Sequence, residues 1–151
     1  MKKILITGGS GFIGTNLIEH LLKKTDAELL TFDINEPKID SHNRFWKRVD
    51  IREYEELREK IVEYKPDIVI HLAARTDLRG LTLKDYDANM TGVSNLLKAI
   101  DEAGTVQKAV FASSMYVCEP GYMPKDFEDY APHTLYGESK VETERRIKKA
   151  N

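Results

Sequence analysis

Tyr136 and Lys140 stand four residues apart in the stretch Tyr136-Gly137-Glu138-Ser139-Lys140. On a helix that spacing puts both side chains on one face. A lysine ammonium beside a phenol favours the phenolate. That equips a tyrosine for acid–base work near neutral pH. Ser114 ends an apolar run and can hydrogen-bond the same substrate hydroxyl. Taken alone, a Tyr–Lys pair is equally a surface feature of an amphipathic helix. A second pattern, near the N-terminus, weighs against that plainer reading.

Thr7-Gly8-Gly9-Ser10-Gly11-Phe12-Ile13-Gly14 carries glycines at 8, 11 and 14. It follows the apolar run Ile4-Leu5-Ile6 and precedes Ile13, Leu17, Ile18, Leu21 and Leu22, which recur at helical spacing. A strand, a glycine-rich turn and a helix form a dinucleotide cradle. Glycine allows the tight turn, the approach of backbone to a pyrophosphate and close helix–strand packing. The helix start offers free N–H groups and a positive dipole end. A glycine turn with no ligand is the competing reading. Asp33 ends a second strand, 19 residues after Gly14. Its carboxylate can accept from ribose hydroxyls and would repel a 2′-phosphate. Ile34, Asn35 and Glu36 bring no cation to offset that repulsion, so the expected cofactor is NAD rather than NADP. A solvated loop aspartate is the alternative. Asp50-Ile51 follows a third strand, where Asp50 either meets the adenine edge or caps the next helix.

The elements that must position these residues are legible in outline. Strands are expected at Ile4–Ile6, Leu29–Phe32, Phe45–Val49, Ile68–Ile70 and Val106–Ala112. Between them run amphipathic stretches. Tyr54, Leu57, Ile61 and Val62 mark one helix, and Tyr86, Met90, Val93, Leu97 and Ile100 mark another, with Gly104 as its C-cap. A last helix runs from Thr134. Apolar strands alternating with helices imply a parallel sheet covered on both faces. The expected fold is α/β, a Rossmann-like doubly wound sheet of order 3-2-1-4-5, as one domain over 1–151.

The chain has 151 residues, 41% hydrophobic and 32% charged, with a formal net charge of −2. That balance leaves no electrostatic footprint for nucleic acid or an anionic membrane. The basic cluster Arg145 to Lys149 reads as a solvated helix face. No apolar run approaches the roughly 20 residues of a spanning helix. Cys118 is the single cysteine, so no intrachain disulfide can form and a reducing, cytoplasmic setting is expected. It has no activating partner in sequence and is not a candidate nucleophile. His20, His42 and His133 show no metal-ligand spacing, and no metal is expected.

Several of these motifs occur in the order found in a known family. Thr7 to Gly14, Asp33, Asp50-Ile51, His71-Leu72-Ala73-Ala74, Asn89 with Thr91-Gly92 and Asn95-Leu96-Leu97, Ser113-Ser114, and Tyr136 to Lys140 together resemble the extended short-chain dehydrogenase/reductases. These are NAD-dependent epimerases and dehydratases, many acting on nucleotide sugars. The resemblance spans the whole chain but only the first half of such proteins. It implies Tyr136 as base, Lys140 as its tuner and ribose ligand, and Ser114 as the orienting hydroxyl. It implies that NAD is held by Gly8, Gly11, Phe12, Ile13, Gly14, Asp33, Asp50, Ile51, Leu72, Ala73, Ala74, Asn89, Tyr136 and Lys140. His71 reads as a packed strand residue. The implied substrate is a small molecule, a sugar nucleotide, oxidised and reduced by hydride transfer.

Two departures bear on the branch. Met115-Tyr116 stands where the 4,6-dehydratases carry an Asp-Glu pair and where sugar-acid decarboxylases tend to carry a glutamate at the second position. Val117-Cys118-Glu119 replaces the frequent Val-Tyr-Gly. Epimerase chemistry is the expectation, and a catalytically silent NAD-binding module or an inactive fragment is its rival. The resemblance places a sixth strand and a substrate-binding part after the region seen here. The fifth strand then lies at an unprotected edge, where chains are expected to self-associate as homo-oligomers.

Overall fold

A computed structural model describes residues 1–150; Asn151, the last residue of the expected domain, lies outside the described residues. The strands are β1 (Lys3–Thr7), β2 (Glu28–Asp33), β3 (Trp46–Arg48), β4 (Ile68–His71) and β5 (Lys108–Phe111). The helices are α1 (Phe12–Lys24), α2 (Tyr54–Tyr64), α3 (Asp87–Ala103) and α4 (Leu135–Ala150). All strand pairs are parallel, in the order β3-β2-β1-β4-β5 expected from the sequence.

The apolar strands are two-faced because successive side chains alternate across a sheet. Ile4 and Ile6 join Ile18 of α1 and Leu29 on one face. Leu5, Phe32 and Val69 join Leu57 and Ile61 of α2 and Leu96 and Ala99 of α3 on the other. Registering Leu5 beside Leu30 and Val69 places the centre of the sheet in both layers. At β5 no helix among the described residues covers the face that α1 covers elsewhere, and Val110 is 43% exposed.

Three local details differ from the sequence reading. Tyr86 does not lie in the long helix; it closes a 3₁₀ turn over Leu83–Tyr86, and α3 begins one residue later. Its hydroxyl donates to the Asp77 carbonyl at 2.8 Å and accepts from the Gly80 N–H at 3.2 Å, a use that holds it out of the helix. The fully buried face of α3 is Asn89, Gly92, Val93, Leu96 and Ala99, with Leu97 and Ile100 at its margin. Gly92 is needed there, since a Cβ would stand 2.6 Å from Ile51 Cδ1. On α1, Phe12 and Ile13 are 79% and 61% exposed, because the first turn faces a cavity and not the core.

His71 ends β4 and is buried, as expected of a packed strand residue, with its Nδ1 2.6 Å from Thr7 Oγ1. Burial, aided by the charge of Lys140, pushes its pKa down from 6.5 to about 3. Above pH 6.5 the ring is neutral folded and unfolded, and it adds no pH dependence. Below that, the unfolded chain binds a proton that the native chain refuses. Stability should therefore fall by up to about 1.4 kcal/mol per pH unit as pH drops through this interval. Paired carboxylates such as Glu19 act mainly around and below their ordinary 4.5, so a His71 variant is needed to separate the His71 part of the slope from other groups. Urea denaturation as a function of pH should show this slope, and His71→Gln should flatten it.

Candidate active site

The glycine turn is built by exclusion of side chains. Gly8 has φ +75°, and a Cβ there would lie 2.6 Å from the Ala73 nitrogen. A Cβ on Gly14 would lie 2.3 Å from the Gly8 carbonyl oxygen. Three segments thus meet backbone to backbone: the end of β1, the first turn of α1 and the end of β4. Gly11 precedes α1 with no side-chain acceptor on the helix N-terminus, and the first turn carries no acidic residue. Its N–H groups have no intrahelical partner. An uncapped helix start beside glycines that admit no Cβ is a cradle suited to an anionic group.

Asp33 is fixed at the end of β2. One carboxylate oxygen accepts from the Ser10 N–H at 3.1 Å and the other from the Asn35 N–H at 3.0 Å. Ser10 itself is buried and donates to the Asn35 carbonyl at 2.8 Å. The aspartate is therefore oriented by the turn it is expected to serve. Asp50 does not cap α2, whose N-cap is Glu53. Its carboxylate takes the Arg52 guanidinium at 2.5 Å and the Arg52 N–H at 3.0 Å. That pairing holds the carboxyl below its ordinary value.

Tyr136 and Lys140 share the buried face of α4. Thr134 opens this helix by accepting from the Gly137 N–H at 2.9 Å. Gly137 lets the helix press on the turn after β5, since a Cβ would stand 2.2 Å from the Tyr116 carbonyl oxygen. The Tyr136 ring is held between Tyr86 and Tyr116, with centroids at 6.1 and 5.8 Å. Lys140 is 4% exposed and donates to the Ala112 carbonyl at 2.8 Å. Burial lowers its pKa, and the Glu144 carboxylate works against that shift.

One cavity of about 900 Å³ joins these parts. Gly8, Gly11, Phe12, Ile13, Gly14, Asp33, Asp50, Ile51, Leu72, Ala73, Ala74, Tyr136 and Lys140 all line it. Ser114 and Asn89 do not. Ser114 caps the 3₁₀ turn Met115–Val117, its Oγ accepting from the Tyr116 N–H at 3.1 Å, while Ser113 lines the wall. Asn89 is buried behind it: Oδ1 accepts from the Arg75 N–H at 2.8 Å, and Nδ2 donates to the Arg75 carbonyl at 3.0 Å and to Ser139 Oγ at 2.9 Å. Its amide anchors the loop after β4 and does not reach the cavity.

The sequence reading missed several lining residues. Ser10 enters through the glycine turn after β1, Asn35 and Lys38 through the turn after β2, and Arg75, Thr76 and Asp85 through the segment after β4. Lys38 is an exposed cation at this wall, just beyond the three residues weighed against a 2′-phosphate. Ser10 lies inside the glycine motif and could have been read from it; the loop residues carry no periodic signal. Among the described residues no group of three His, Cys, Asp or Glu could hold a metal ion, and no helix is long and apolar enough to cross a membrane.

The chain is 34% identical over 160 residues to the UDP-glucose 4-epimerase of Neisseria meningitidis serogroup C, covering 96% of this chain and 47% of that one. It is 33% identical over 111 residues to the dTDP-glucose 4,6-dehydratase of N. meningitidis serogroup B, covering 66% and 31%. The UDP-glucose 4-epimerase of Thermus thermophilus, solved in complex with NAD, superposes with a TM-score of 0.79 at 29% identity, covering 97% of this chain and 50% of that one. The chain spans at most about half the length of these relatives. The model of the NAD dependent epimerase/dehydratase family matches residues 4–151, and the chain belongs to that family.

Proposed function

We propose that this chain binds NAD and forms the cofactor half of a nucleotide-sugar epimerase-type oxidoreductase, with Tyr136 as its acid–base residue. The observation that carries this reading is the single cavity shared by the glycine turn, Asp33, Tyr136 and Lys140. The uncapped α1 terminus and the crowding at Gly8 and Gly14 fit a pyrophosphate. Asp33, oriented by Ser10 and Asn35, fits the ribose hydroxyls. Leu72, Ala73 and Ala74 leave room for the cofactor beyond the sheet.

When bound, NAD supplies an acceptor for hydride from a sugar carbon and returns it. Tyr136 then takes the proton of the sugar hydroxyl at its phenolic oxygen and gives it back. Lys140, fixed on the Ala112 carbonyl, brings its positive charge to the helix face that carries Tyr136. Ser114 has its own hydroxyl proton free to donate, since its Oγ acts as acceptor toward Tyr116. Its position off the cavity wall favours the rival reading of a silent NAD-binding module; Tyr136 and Lys140 on the wall favour the enzyme.

Calorimetric titration should give NAD at least about tenfold tighter than NADP, or roughly 1.4 kcal/mol. Asp33→Asn should weaken NAD by a similar factor and narrow that preference, because a charge-assisted hydrogen bond is lost. Binding of neither cofactor would overturn the reading. Incubation with NAD and a UDP-sugar should build reduced nicotinamide, read by absorbance. Tyr136→Phe should slow this by about 10²-fold or more while still binding NAD. A chain that binds NAD but never reduces it would be the silent module. β5 presents an unpaired edge with Lys108, Ala109 and Val110 exposed. Edge-to-edge association there should appear as a concentration-dependent mass in light scattering, and a strictly monomeric mass would exclude it.

A further inference from the structure

Beyond the motif residues, α4 carries a third functional position on the same face. Glu144 lies one helical step after Lys140, as Lys140 does after Tyr136. It is half-buried. Its Oε1 accepts from Ser113 Oγ, on the cavity wall, and its Oε2 accepts from the Tyr130 hydroxyl at 2.7 Å. Lys148 then donates to Tyr130 at 2.8 Å. Neither carboxylate oxygen is spent on Lys140, whose ammonium is docked on the Ala112 carbonyl. The carboxylate therefore acts on the lysine through space, from a place fixed by its two hydroxyl partners.

The surroundings of Lys140 make this matter. Its other titratable neighbours are Tyr136, four residues back on its own helix, and His71 from β4; the remaining charged groups of the cavity, Asp33, Glu36, Lys38, Asp50, Arg52, Arg75 and Asp85, line its walls. His71 is neutral and contributes no negative charge. A buried ammonium with one carbonyl partner loses its proton easily. Glu144 is the anion that works against that loss. By gripping Ser113, it also fixes the residue next to Ala112, on which the lysine is seated.

We propose that Glu144 is a positioning residue for the Tyr136–Lys140 pair, supplying the counter-charge for the lysine and tying the end of β5 to α4. This rests on the reading of that pair as the acid–base machinery. It is tested on the chain without cofactor, so its failure is distinct from a failure to bind NAD. The probe is the pH titration of the Lys140 Cε resonance in chain containing isotope-labelled lysine, with the signal assigned by its loss in Lys140→Met.

In the unaltered chain this resonance should titrate below the surface lysines. Glu144→Gln, which keeps the shape and removes the charge, should lower the midpoint by about one further pH unit. Glu144→Asp should recover part of that shift, which a purely structural role would not produce. An unchanged midpoint in a folded Glu144→Gln chain overturns the proposal. If that variant does not fold, Glu144→Ala is titrated in its place. A midpoint below that of the unaltered chain supports the role, and an equal midpoint overturns it.

Discussion

The structure depends on a place where side chains are forbidden. At Gly8 and Gly14 the ends of β1 and β4 and the start of α1 approach so closely that a single added carbon would collide with backbone. That contact sets the height of α1 on the sheet and the opening of the cavity. A side chain at either glycine would have to push apart elements whose other faces are packed into two cores. The turn is thus a joint of the fold as well as a wall of the proposed cofactor site, and the two cannot be mutated separately.

The same economy governs the charges. Lys140 is taken out of water, yet its partners are a neutral carbonyl and a carboxylate at one remove. Burial alone pulls the pKa of such a lysine down, and Glu144 works against that pull. His71 sits close enough to be affected by that charge and is held neutral beneath it. Asp33, by contrast, lies where two backbone N–H groups orient it and leave it facing the cavity.

What the sequence disclosed followed from periodicity and from glycine. Continuous apolar runs separated by helical spacing determine a parallel sheet, and the Tyr136–Lys140 interval determines a shared helix face. These are short-range properties of the chain. Asp50 shows where such reading stops: Arg52, two residues on, folds back and takes its carboxylate, a choice made by side-chain torsions that no pattern encodes. Asparagine is a poor helix former, and Asn89 is placed there by partners from other segments, the backbone of Arg75 and the hydroxyl of Ser139. Ser114 and Ser113 differ by one residue in sequence, and the turn after β5 alone decides which faces the cavity.

The Asn89 clasp has a further consequence. Besides its bonds to Arg75 and Ser139, its carbonyl accepts from Thr143 Oγ1 at 2.6 Å. The loop after β4 and the helix bearing Tyr136 are therefore fastened to the same residue of α3. The glycine turn needs no such fastening, because it is continuous with the central strands. The two ends of the cavity are thus held by different sets of contacts, which can open separately if local stability follows those contacts. In folding, the phosphate end can be complete while α4 is still unseated, since Tyr136 arrives across a long stretch of chain and its docking waits on α3. In the native state the same ordering runs backwards: opening of α4 removes the tyrosine and leaves the cradle standing. On the proposed reading, holding a dinucleotide and readying Tyr136 for proton transfer rest on different contacts, and the buried Asn89 belongs to the second set.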